Sequence, residues 1–108
     1  MRIDHVSLNV SDRDRSIGFY EDVLGLRLRG TPGPVDEPAF VGSLGLFADR
    51  APGVRHVALA TDAAGQRAVR ERLDRLGIAW RAERHRDHDS IYFSDPDGLT
   101  LEVMVPTA

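Results

Sequence analysis

Cysteine and lysine are both absent from this chain of 108 residues. Without cysteine there can be no disulfide, thiolate metal site, iron–sulfur cluster or cysteine nucleophile, and thiol usage says nothing of a redox compartment. Without lysine there is no Schiff base and no lysine general base; the 14 basic residues are all arginine. A charge excess of one sign is lacking too. The net charge is −3, and arginines alternate with acidic residues along Asp12–Arg15 and Arg67–Arg75 instead of forming a stripe, so nucleic acid is not an expected partner. No apolar run approaches the roughly 18 residues of a membrane span. Met1-Arg2-Ile3-Asp4-His5 enters a strand pattern at once, with no signal-peptide region, which predicts a cytoplasmic protein with no membrane partner. Chemistry is left to four histidines, the carboxylates, two tyrosines, hydroxyls, arginines or a bound metal.

With 42% hydrophobic and 29% charged residues, the chain suits a single domain over residues 1–108, built from modules of approximately 1–50 and 53–108. Ile3–Val10 alternates, with Val6, Leu8 and Val10 on one side and His5, Ser7 and Asn9 on the other, as a half-buried strand requires. Ser11 or Asp12 can cap a helix carrying Ile17, Tyr20, Val23 and Leu24 on one face, ended by Gly25. Leu26–Arg29 reads as a further strand. Thr31–Pro38, with three prolines and a glycine, is predicted to be a loop able to act as a lid. Phe40–Phe47 suggests two short strands broken near Gly42-Ser43.

The same order then repeats. Val54–Ala60 is a strand with His56, Ala58 and Ala60 on one face. Asp62 or Thr61 caps a helix bearing Val69, Leu73 and Leu76, Gly77 stops it, and Ile78–Glu83 reads as a strand. Ser90–Ser94, the turn Asp95-Pro96-Asp97-Gly98 and Leu99–Val105 form a terminal hairpin. The predicted class is α+β: two βαβββ modules forming a cupped pseudo-barrel sheet with the helices outside and the polar strand faces lining a shared concavity.

Glu102 interrupts an otherwise apolar strand, and a carboxylate in such a place needs a compensating cation. Either an arginine (Arg2, Arg29 or Arg55) or a metal can serve. His5 and His56 occupy the same point of the two repeats, each on the face opposite the helix-packing residues. Two histidines and one carboxylate are a known facial set for a divalent metal with open positions.

These residues resemble the vicinal oxygen chelate superfamily, which takes in glyoxalase I, extradiol ring-cleaving dioxygenases, fosfomycin-resistance enzymes, methylmalonyl-CoA epimerase and bleomycin-binding proteins. The matching pieces are His5–Leu8, Phe19–Leu26, His56–Leu59 and Tyr92–Glu102. The resemblance implies the paired βαβββ fold and one divalent ion, Fe(II), Mn(II), Ni(II) or Zn(II), held by His5, His56 and Glu102. A fourth ligand is implied near Leu44–Leu46, yet Phe40–Ala48 contains no histidine, glutamine, aspartate or glutamate. Isomerisation of the glyoxalase type normally uses a carboxylate from that strand as ligand and base, so it and the epimerase reaction recede.

The three-ligand pattern looks more like the dioxygenases and the fosfomycin-modifying enzymes. For the latter, no basic residue follows Glu102 and there is no lysine to grip a phosphonate. For a dioxygenase, His88 and Tyr92 are the candidate proton carriers, and Ser7, Ser90 and Tyr92 resemble substrate-contacting positions. The plainer reading of His85 and His88 is a pair of exposed loop residues. The leading expectation is a metal-dependent enzyme, most like a dioxygenase, acting on a small oxygen-chelating molecule. The alternative is a metal-free drug- or metabolite-binding protein of the bleomycin-resistance kind. Superfamily members usually form homodimers, so a homodimer is expected.

Overall fold

The computed structural model describes residues 1–96 and 98–107. Its elements run β1 (Arg2–Val10), α1 (Arg13–Leu24), β2 (Ala39–Val41), β3 (Leu44–Ala48), β4 (Gly53–Ala60), α2 (Ala63–Arg75), β5 (Arg81–Arg84), β6 (His88–Ser94) and β7 (Thr100–Pro106). Strands and helices combine as an α+β chain of two compact units, His5–Arg55 and a second unit of Met1–Asp4 with His56–Ala108. Asp97, part of the predicted turn, lies outside the described residues; around it Gly98 N–H donates to the Asp95 carbonyl and Leu99 N–H to the Asp95 carboxylate.

In the His5–Arg55 unit the strand order is β2-β3-β1, with β3 antiparallel to β2 and parallel to β1. Asp12 caps α1 by accepting from the Arg15 N–H, and Gly25 ends it at φ 68°, a left-handed conformation that favours glycine. The predicted strand Leu26–Arg29 is reduced to one bridge, Leu28 with Val41. Its Leu28 N–H is taken by the Glu21 carboxylate of α1, and the prolines that follow cannot extend a ladder. The first module therefore falls one full strand short of βαβββ.

The inward face of α1 also differs from expectation. Ile17 and Tyr20 pack on Ala39, Val41 and Leu46, but Val23 and Leu24 are exposed. The inward stripe starts instead at Arg13, which is buried and donates to the carbonyls of Gly33, Pro34 and Glu37. The proline-rich loop is thereby fastened to the first turn of α1.

In the second unit the order is β4-β7-β6-β5, with β4 and β7 parallel and the rest antiparallel. Leu73 and Val69 of α2 pack against Leu59, Ile91, Phe93 and Val103 on one face of this sheet. Leu76, predicted on that helix face, caps the helix and is exposed. Gln66 reaches down from α2 to donate to the carbonyls of Asp89 and Val103. Strand β5 begins at Arg81 and β6 at His88, so Ile78–Trp80 precedes the strand predicted there.

Candidate metal centre

Strand register assembles the candidate site on the face of strands β4-β7-β6-β5 opposite α2. Glu102 of β7 lies opposite Ala58 on β4 and Tyr92 on β6, and its same-face diagonal neighbours include His56 and Ser90. On β6 the alternation His88, Ser90, Tyr92 puts all three side chains on that face. Strand β6 starts two residues earlier than predicted, because a tight β5–β6 turn lets the His85 N–H bond to the His88 carbonyl at 2.8 Å. That pairing sets His85 across from His88. Their rings stack with centroids 4.4 Å apart and planes 25° from parallel, and both are part-buried instead of being exposed loop residues.

Glu102 is 2% exposed, and the site is organised around its two oxygens. Oε1 lies 3.3 Å from His56 Nε2, while Oε2 accepts from Ser90 Oγ at 2.6 Å and lies 3.3 Å from His88 Nε2. Imidazoles therefore meet this carboxylate within the unit, and the arginines suggested for that task have contacts elsewhere. Arg2 pairs with Asp4, Arg29 sits over Phe40, and Arg55 donates to Asn9 and lies over Phe47. Around this core, His85 Nε2 is 2.8 Å from the Tyr92 hydroxyl, and His88 Nδ1 is 2.6 Å from Asp87. Burial, reinforced by the neighbouring Glu102 charge, pushes the Tyr92 hydroxyl up to about 12. The hydrogen bond with His88 holds the Asp87 carboxyl below its ordinary value.

The other two predicted site residues belong to the His5–Arg55 unit. Ser7 is fully buried on β1 opposite Gly45, and the His5 ring meets Phe40 edge-on with centroids 5.8 Å apart. Gly45 explains the missing fourth ligand. In the second unit Glu102 pairs with Ala58, two residues beyond His56; in the first, Gly45 pairs with Ser7, two residues beyond His5. Gly45 is thus the counterpart of Glu102. A Cβ there would stand 2.9 Å from the Phe40 ring and 3.3 Å from Ser7 Oγ, so Phe40 fills the place of a side chain.

Imidazoles and a buried carboxylate are the donor types that suit a divalent first-row metal. A cleft of about 510 Å³ is lined by Ile78, Trp80, Arg81, Tyr92, Phe93 and Thr100; among the site's side chains Tyr92 lines it, while Trp80 and Phe93 belong to the cluster packed under α2. His85 is the side chain near this cluster that sequence reasoning set aside. The spacing of two histidines either side of Arg86-Asp87 becomes informative only once those two residues are seen to form a hairpin turn.

Residues 2–103 match the family described as "Glyoxalase/Bleomycin resistance protein/Dioxygenase superfamily". The chain belongs to this superfamily. Among curated relatives, it is 29% identical to a lactoylglutathione lyase of Salmonella typhimurium, over 96% of this chain and 92% of the relative. A solved catechol 2,3-dioxygenase superposes with a TM-score of 0.85 at 15% identity, over 97% of this chain and 39% of the dioxygenase chain. The Mn(II)-bound glyoxalase of Novosphingobium aromaticivorans superposes with a TM-score of 0.79 at 24% identity, over 99% of this chain and again 39% of the other. These likenesses show the vicinal oxygen chelate fold. The present chain spans well under half the length of both solved proteins. No helix among the described residues is long and apolar enough to cross a membrane.

Proposed function

We propose that the protein is a divalent-metal-dependent enzyme acting on a small molecule with two adjacent oxygens, most like a ring-cleaving dioxygenase acting on a catechol. His5, His56 and Glu102 would hold the ion. The observation that carries the reading is the buried Glu102 carboxylate with an imidazole nitrogen at each oxygen, in a chain whose counterpart position is Gly45. When bound, the ion supplies Lewis acidity toward the paired oxygens of the substrate.

The protein's own groups supply orientation and proton handling. Ser90 fixes Glu102 by donating to Oε2, leaving Oε1 toward His56. Tyr92 keeps its proton throughout the physiological range and can donate to a substrate oxygen, with His85 Nε2 at 2.8 Å as its exchange partner. His88, held by Asp87, is the second group able to carry a proton at this face. Ser7 and Ser90 would be substrate-contacting residues, as the resemblance to the superfamily implies.

The relatives named lactoylglutathione lyase raise isomerisation as the competing chemistry. That reaction calls for a second carboxylate as ligand and base, and Gly45 supplies none. The test is anaerobic reloading of stripped protein with Fe(II), Mn(II), Ni(II) or Zn(II), followed by oxygen uptake with catechols and isomerisation of a hemithioacetal. Oxygen uptake by the Fe(II) form, with both oxygen atoms entering the ring-opened product and metal lost in Glu102→Ala, is expected. Isomerisation without oxygen uptake overturns the dioxygenase reading, and failure to hold any of the ions makes a sequestering protein the better answer. A cytoplasmic homodimer completes the proposal, to be checked by sedimentation.

A further inference from the structure

We infer that strand β5 is the surface through which two copies of this chain join, edge to edge and antiparallel, about a two-fold axis through Ala82. Strand β5 is last in the order β4-β7-β6-β5, and its four residues, Arg81–Arg84, are all exposed. The bond from the His85 N–H to the His88 carbonyl fixes which of them face β6. Directly opposed residues of an antiparallel ladder alternate between bonded and non-bonded pairs, and His85 with His88 is a bonded pair. Along the same register Glu83 with Ser90 and Arg81 with Tyr92 are bonded pairs too. Ala82 and Arg84 therefore turn their N–H and carbonyl groups outward, away from β6.

A row of outward backbone groups is a template for a further strand unless proline, a bulge, a covering segment or repelling charge blunts it. Strand β5 contains no proline, and its register with β6 runs unbroken from Arg81 to Arg84. The outer strand of the His5–Arg55 unit is different. There the Phe40 carbonyl of β2 accepts from the Arg29 N–H, and Gly42 beside it donates to the Arg27 carbonyl, so a neighbouring segment takes that edge. Charge decides what β5 accepts. Arg81 and Glu83 share one face and pair with each other at 2.7 Å, both well exposed. A two-fold axis through Arg81 or Arg84 would set guanidinium against guanidinium, and one through Glu83 carboxylate against carboxylate. The axis through Ala82 matches the outward groups of the two strands and puts each Arg81 opposite the partner's Glu83, as a closely spaced non-bonded pair. The edge is thus complementary to its own copy. The ion pairs select the register, while the backbone bonds supply the attachment, since exposed ion pairs contribute little by themselves. This gives the proposed homodimer its contact surface and rests on no metal and no reaction.

The test is sedimentation of the full chain over a range of concentrations, with hydrogen exchange of the β5 amides alongside. A dimer is expected, in which the Ala82 and Arg84 amides exchange slowly and from which dilution releases them. Ala82→Pro removes an outward N–H and leaves the β5–β6 bonds in place, so it should abolish the dimer and keep the circular dichroism of the fold. Glu83→Arg should weaken the dimer by about tenfold or more, and Arg81→Glu combined with Glu83→Arg should restore it. A chain that stays monomeric overturns both the homodimer and this contact. A dimer that Ala82→Pro leaves unchanged keeps the homodimer and refutes the β5 contact, and a charge swap no better than Glu83→Arg alone refutes the axis through Ala82. The charge variants alter only exposed side chains, so the outcome does not depend on whether Ala82→Pro folds.

Discussion

Tyr92 holds its proton because burial and the Glu102 charge both disfavour a phenolate. Its folded pKa of about 12 lies above the unfolded value of 10.0, so the neutral form favours the fold. That contribution is complete below pH 10 and is lost as pH rises toward 12. In metal-stripped protein, phenolate absorbance should therefore show a late-ionising tyrosine that disappears in Tyr92→Phe; a single early step for both tyrosines would contradict the assignment. Gly45 is a residue-scale case of the opposite kind. Gly45→Ala puts a methyl group against Phe40 and Ser7, and we expect a loss of about 1–3 kcal/mol by overpacking, measured by urea unfolding. Phe40 touches the His5 ring, so the same variant should also weaken metal binding.

At the scale of elements, the proline-rich segment is anchored instead of swinging free. Three carbonyls of the loop converge on the buried Arg13 guanidinium. Arg13→Ala should lower stability by at least about 2 kcal/mol, since a hydrogen bond to a charged group contributes roughly 1.5–3 kcal/mol. It should also raise hydrogen exchange across residues 31–38, while a loop that exchanges equally fast in both proteins would show that Arg13 is not its anchor. Sequence patterning located this loop and most strands and narrowed each helix cap to two residues, of which Asp12 and Asp62 serve, because caps, prolines and period-two alternation act over a few residues. It misjudged Val23, Leu24 and Leu76, which sit on helix faces that the sheet does not cover. It also missed that β6 begins at His88, since a turn of two ordinary residues, Arg86 and Asp87, carries no glycine or asparagine signal.

For the whole molecule, metal binding and folding are linked. An ion present at 100 times its Kd should raise stability by about 2.7 kcal/mol. Chelator should reverse this shift in unfolding midpoint, and His56→Ala should diminish it; an unchanged midpoint would show that no ion binds the folded chain. Sequence alone determined the α+β class, the repeat of strand and helix, and Glu102 as a carboxylate in need of a cation, because these follow from local periodicity and from the cost of burying charge. Only tertiary structure decided which side chains meet Glu102. Arginines at positions 2, 29 and 55 were equally eligible on paper, but pairing of β7 with β4 and β6 brings His56 and His88 to its two oxygens. Register across strands is a long-range property, set by how whole faces bury themselves, and a single strand's pattern does not encode it.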